Sequence, residues 1–287
     1  MATTAANPPL VVGIDGSEAA LIALDWASDE AAANGWPLRL VYVAERYAAH
    51  VSTMVVGREI ADAVFAEARQ RLRRRGRRGL EATAVTRHGS PRRVLLREAS
   101  RTRGLVIGRE GAGQFAELTL GSTALACATH ARVPVTVVPR SWRPRRSGER
   151  TITLGVDGSP RCRAAVEYAF ATASRQGARI VAVSAVRRPE PVLTSEQAVD
   201  SEGETKAKRI LAEQLSEWRS KFPEVRVTEA VEAGHAAAVI KEHAADADLV
   251  VVGARGHGTV TGMLLGSIAR AVLQHVDRPV AVVRGRR

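Results

Sequence analysis

The 287-residue sequence predicts an α/β protein built from two doubly wound domains. Each is expected to be a five-stranded parallel sheet in the order 3-2-1-4-5, with helices on both faces. Three observations carry this expectation. Short β-branched runs such as LVVVG at Leu249–Gly253 alternate with longer helical patterns, and unbroken apolar strands belong to sheets covered on both sides. A first-strand signature occurs twice, LVVGIDGS at Leu10–Ser17 and ITLGVDGS at Ile152–Ser159. A glycine pattern, G-x2-G-x9-G-S, also occurs twice, at Gly108–Ser122 and Gly253–Ser267, each time after an apolar run and before a helical one. A repeat of this length is a duplicated domain and not a solenoid unit.

In chain order, the first copy reads as strands near Leu10–Ile14, Leu38–Ala44, Glu81–Arg87, Leu105–Gly108 and Val135–Val138. Helices fill the gaps near Ser17–Asn34, Arg58–Arg75, Pro91–Arg101 and Ser122–Ala131. The second copy repeats the order, with strands near Ile152–Val156, Arg179–Ala185, Val225–Glu232, Leu249–Gly253 and Val280–Val283. Its helices lie near Pro160–Gln176, Glu196–Lys221, Ala236–Ala244 and Ser267–His275. The expected domains are 1–140 and 151–287. Residues 141–150, rich in Pro, Ser, Gly and charge, should form an exposed linker.

Composition narrows the function classes. Two cysteines, Cys127 and Cys162, argue against a disulfide framework or a Cys-based zinc site. MATTAANPPL lacks the parts of a secretory signal, and no apolar stretch approaches the roughly 20 residues that span a bilayer. A cytoplasmic location with no membrane partner is the expectation. The formal charge is +12, carried mostly by arginine, with a dense run RQRLRRRGRR at Arg69–Arg78 and basic residues in the linker and at Arg284–Arg287. Such clusters attract polyanions. Without interleaved aromatics for base stacking, a solvated helix face and a dipole-matched helix end explain the run better.

The switch point of a doubly wound sheet turns spacing into a site. Asp15 and Asp157 follow the first strands, while Gly108 and Gly253 follow the fourth, the neighbours that flank the crevice. Glycines let backbone approach a ligand, and the helices opening at Gly121-Ser122 and Gly266-Ser267 add N–H groups and a positive dipole end. This is a phosphate cradle, to be weighed against plain turns with Ser122 and Ser267 as N-caps. Asp15 and Asp157 suit a ribose, a base or a bridging divalent cation, or else a turn-forming D-G-S segment. Neither the P-loop pattern nor G-x-G-x-x-G is present, and the histidines, including His235, His243 and His257, show no metal spacing. His235 and His243 are expected on a solvated face.

With these residues in view, the chain resembles a tandem universal stress protein of the ATP-binding type over nearly its whole length. The closing segments RVPVTVV and RPVAVV match as well. The resemblance implies ATP as ligand, with Mg2+ as an accompanying ion, held in the second copy by Asp157, Val183, Gly253, Arg255, Gly256, Gly266 and Ser267. In the first copy it implies Asp15, Val43, Gly108, Glu110, Gly111, Gly121 and Ser122, with Val43 and Val183 holding adenine through their backbones. Glu110 stands where the second copy has Arg255, so the first site is expected to be weaker, to need a cation, or to turn Glu110 outward while Arg109 approaches.

The function implied is nucleotide-dependent regulation in a stress response, acting through conformation or an unidentified protein partner. Slow ATP hydrolysis or phosphoryl or adenylyl transfer is the alternative, with no residue evident to position an attacking water, and nucleic-acid binding ranks third. The two domains are expected to pair through their last strands, with a homodimer as a further step.

Overall fold

A computed structural model of the chain describes residues 7–44, 51–111, 120–145, 148–186, 196–256 and 265–285, leaving out the side chains of 51–56 and 196–202. The chain divides into two compact units, Met1–Pro144 and Arg145–Arg287. Unit 1 runs β1 (Leu10–Ile14), α1 (Glu18–Asn34), β2 (Leu38–Ala44), α2 (Val51–Arg74), β3 (Ala82–His88), α3 (Pro91–Glu98), β4 (Gly104–Gly108), α4 (Ser122–His130) and β5 (Val135–Val138). Unit 2 runs β6 (Thr151–Gly155), α5 (Arg163–Gln176), β7 (Arg179–Val186), α6 (Glu196–Lys221), β8 (Val227–Ala233), α7 (Ala236–His243), β9 (Leu249–Gly253), α8 (Ser267–His275) and β10 (Val280–Val283).

Within unit 1 the strands pair in parallel in the order β3-β2-β1-β4-β5. Unit 2 repeats this as β8-β7-β6-β9-β10. The central strands carry the core: Val11, Val12, Leu105 and Val106 are buried in unit 1, as are Ile152, Leu154, Val250 and Val251 in unit 2. Each buried side chain of this kind stabilises by about 1.5–3 kcal/mol. The pairing of β1 with β4 ends at Val12↔Val106, and that of β6 with β9 at Leu154↔Val251. Beyond those pairs the two chains splay, which opens the switch-point crevice under Asp15 and Gly108 and under Asp157 and Gly253.

The first helices start differently in the two units. Ser17 caps α1, its Oγ accepting from Ala20 N at 3.2 Å, and Gly35 at φ 65° ends it by donating to Ala31 O. In unit 2, Pro160 opens a single 3-10 turn, Pro160–Cys162, before α5 begins.

The helix seams differ as well. Helix α2 begins at Val51 instead of the expected Arg58; its first turns read as β-branched, and at Gly57 it runs beside Ala44 at the end of β2. The dense arginine run finds an acidic stripe on α1. Arg71 bonds both Glu18 and the buried Asp25, Arg75 reaches Asp25 and Asp29, and Arg77 reaches Asp29. The Asp25 hydrogen bond keeps the Arg71 guanidinium charged well above its ordinary range, against the opposing effect of burial and with Glu18 adding to it. Three of the arginines offered by the sequence to a polyanion are thus held inside the fold. In unit 2 the seam between α5 and α6 is aromatic: Trp218 stacks on Phe222 at 6.5 Å, Phe222 meets Phe170 at 6.2 Å, and Lys221 lies over both Trp218 and Phe222.

The expected linker is not uniformly exposed. Trp142 is buried, and Arg145 is anchored to unit 2, its Nη1 donating to Asp246 O at 2.6 Å. Among the described residues no helix is long and apolar enough to cross a membrane.

Candidate functional site

The turn after each first strand is built the same way. Gly16 at φ 85° and Gly158 at φ 80° take the left-handed conformation that the D-G-S bend requires. Asp15 Oδ1 accepts from Ser17 N at 2.9 Å and Ser17 Oγ at 2.6 Å; Asp157 Oδ1 accepts from Ser159 N at 3.0 Å and Ser159 Oγ at 2.8 Å. Each aspartate therefore spends Oδ1 on its turn.

The glycine segments are also matched. Arg109 N donates to Val138 O and Ala254 N to Val283 O, both at 2.8 Å, fastening each loop to the neighbouring strand end. Gly121 N then returns to Arg109 O and Gly266 N to Ala254 O, again at 2.8 Å, pinching the loop at its base. Gly121 and Gly266 are the N-caps of α4 and α8, and neither cap makes a side-chain hydrogen bond. Ser122 and Ser267 are first helical residues, so the N-cap role weighed for them does not hold: the preceding glycine takes the extended cap conformation. Their first-turn N–H groups face the crevice end, where the helix dipole is positive. His257 lies outside the described residues.

In unit 2 these parts enclose a cavity of about 250 Å3. Asp157, Val183, Gly253, Arg255, Gly256, Gly266 and Ser267, the whole set expected there, line it. Ala185, Ala236, Ile240 and Ile268, which no sequence motif marks, add apolar wall. An apolar pocket with a few convergent polar groups has the usual make-up of a small-molecule site, at a volume just under the usual range. Gly256 packs directly on Asp157: a side chain placed there would fall on Oδ2. Cys162 also lines the cavity, its thiol directed at Gly155 O at 3.5 Å, and burial pushes the thiol up to about 12.

Unit 1 holds the same backbone with different chemistry. Asp15, Gly108, Gly111, Gly121 and Ser122 occupy the matching places. Glu110 does not turn outward. Its carboxylate accepts from Arg109 Nε at 2.7 Å and from Arg140 N at 3.1 Å, at the end of β5, and its side chain is 8% exposed. The charge that threatened a phosphate is matched by Arg109, so repulsion is reduced, while Arg109 is engaged by its own neighbour. Gly108 is jammed against α1: a Cβ there would stand 2.9 Å from Ala19 C and 3.0 Å from its O. At Gly253 the nearest obstacles are Arg255 O at 3.3 Å and Cys162 Cα at 3.9 Å, because the 3-10 turn sets α5 back. Tyr42, beside Asp15, has its phenol raised above its ordinary range, by burial first and the Asp15 charge second.

Two expectations need correction. Val43 and Val183 are not counterparts. Gly13 registers with Val41 and Gly155 with Val183, so Ala185 is the partner in position of Val43. The Val183 carbonyl accepts from Val156 N at 2.8 Å, whereas Ala185 lies two residues past the last β6–β7 register pair. Counting the ladder from the first-strand glycine was the signal that finds Ala185. His243 is not simply solvated: it is half-buried, with Nε2 2.6 Å from Glu232 Oε1, while His235 is exposed. Among the described residues, no group of three or more His, Cys, Asp or Glu is arranged to hold a metal ion.

Comparison with known proteins agrees with this architecture. The model of the universal stress protein family matches the chain twice, over residues 7–139 and 149–284. A universal stress protein of Mycobacterium tuberculosis strain H37Rv is 32% identical over 99% of this chain and 97% of its own length. A universal stress protein of Mycolicibacterium smegmatis is 31% identical over the whole of both chains. Among solved structures, a universal stress protein from Archaeoglobus fulgidus superposes with a TM-score of 0.71 at 20% identity, covering 97% of each chain, which speaks to the fold.

Proposed function

The chain belongs to the universal stress protein family, and from that premise we propose that unit 2 binds an adenine nucleotide, ATP foremost, to regulate a stress response. The observation that carries the reading is the convergence of Asp157, Arg255, the two loop glycines and the start of α8 on one cavity. The apolar wall of Val183, Ala185, Ala236 and Ile240 suits a flat base. The side of β7 beyond its last β6 pair, at Ala185, suits hydrogen bonding to that base. Asp157 Oδ2 suits the ribose hydroxyls, and the first-turn N–H groups with Ser267 and Arg255 suit the phosphates. Mg2+ would be held chiefly by the phosphates, with Asp157 as the nearest carboxylate.

Unit 1 is the weaker site in this reading, because it lacks the cation of Arg255 and its glycine loop stands off Asp15. Occupancy of unit 2 would then govern pairing of the two units, formation of a homodimer, or docking of a protein partner in the cytoplasm.

The test is direct. Purified protein, denatured and analysed, should release adenine nucleotide at less than two per chain. Calorimetry should show that Gly266→Glu removes more ATP affinity than Gly121→Glu. No nucleotide and no measurable affinity would overturn the reading, and equal losses would overturn the asymmetry.

A further inference from the structure

We propose that Arg161 positions the glycine loop of unit 2 for a phosphate chain, making affinity rise with the number of phosphates; this rests on the nucleotide reading above. Arg161 stands on the Pro160–Cys162 turn, four residues after Asp157. Its Nη1 donates to Gly256 O at 3.3 Å, across the mouth of the crevice. Gly256 is the residue whose Cα backs onto Asp157 Oδ2. The first-strand turn therefore grips the glycine loop at two points, the carboxylate against its Cα and the guanidinium on its carbonyl.

Two consequences follow for a bound anion. A carbonyl oxygen at the rim of a phosphate site repels the phosphate, and a guanidinium hydrogen-bonded to that oxygen offsets its partial charge. The contact with Gly256 uses one of the five N–H donors of Arg161, and the side chain is exposed at the rim, where phosphates beyond the first would lie. With Arg255 in the cavity wall, the rim carries two guanidinium groups near a single carboxylate. The counterpart position in unit 1 is Ala19, which brings no charge and is packed on Gly108. Gradation by phosphate number is accordingly a property of unit 2.

Arg161 touches no core, so Arg161→Ala keeps the fold and isolates the contact. The experiment is calorimetric titration of the nucleotide-stripped full chain with adenosine, AMP, ADP and ATP, for the wild type, Arg161→Ala and Arg161→Lys. The expected result is a loss of about tenfold in ATP affinity for Arg161→Ala, the scale of one charge-assisted hydrogen bond. The loss should shrink from ATP through ADP to AMP, with adenosine within about twofold of wild type. Arg161→Lys should recover part of the ATP affinity by keeping the charge without the planar fork. Equal losses for adenosine and ATP would make Arg161 a mere structural support, and an ATP affinity unchanged by either variant would remove its role. A wild type that binds adenosine and AMP but shows no gain with further phosphates refutes the inference while sparing the nucleotide reading; one that binds none of the four refutes both.

Discussion

Gly108 and Gly253 hold the same place in two copies of one fold, yet one is wedged against a helix and the other faces a cavity. The cause lies in the chain after the first strand. In unit 1, Ser17 starts α1 at once, and Ala19 presses on Gly108. In unit 2, Pro160 inserts a 3-10 turn, α5 starts later, and the space beside Gly253 opens. The loop tips diverge in step: Gly256 lies on the Asp157 carboxylate, while a side chain at Gly111 would meet nothing within 4 Å. The hydrogen-bonded frame is the same in both copies, and the difference in helix entry goes with the different room beside the two glycines.

The largest expected difference between the two units lies at the loop tips. Gly256→Val drives a side chain onto Asp157 and should cost unit 2 at least about 100-fold in nucleotide affinity, whereas Gly111→Val should leave binding by the chain unchanged. Calorimetry on the pair checks this. Next in size, Gly108→Ala forces a methyl into the α1 backbone and should lower unfolding free energy by about 1–3 kcal/mol, with Gly253→Ala below about 1 kcal/mol, read from urea titrations. Glu110→Arg removes the carboxylate beside Arg109 and places an arginine where unit 2 has Arg255; an increase of about tenfold in unit 1 affinity, seen as a second binding event, is expected. If the second event stays absent, the tight packing at Gly108 dominates over charge. The smallest effect concerns Cys162. With its thiol raised to about 12, it should react with thiol reagents at pH 8 far more slowly than in unfolded protein, and nucleotide should slow it by a further few-fold.

Much of this was legible in the sequence because it depends on local pattern. The strands, their order and the repeat follow from apolar runs, the D-G-S turns and the glycine spacing. The convergence of Asp157 with Gly253 follows from the switch-point rule. What escaped depends on distances between elements. Nothing in the letters tells that Glu110 folds back on Arg109 and the Arg140 backbone. The arginine run at Arg69–Arg78 looked like an external surface because its acidic partners, Glu18, Asp25 and Asp29, lie on another helix. Val43 was paired with Val183 instead of Ala185 because a two-residue slip along the strand keeps the same side.

The ion-pair seam of α1 and α2 has a thermal consequence. The cost of desolvating charged groups falls as temperature rises, so a network such as Glu18–Arg71–Asp25–Arg75–Asp29 holds its value on heating better than it does at 25 °C. Its exposed end is also screened by salt, which an aromatic stack such as Trp218–Phe222 is not. In scanning calorimetry, replacing Glu18 or Asp25 should therefore lower the melting temperature less at high ionic strength than at low, while the cost of Trp218→Ala should not change with salt. One chain would then carry two thermometers, calibrated by different forces.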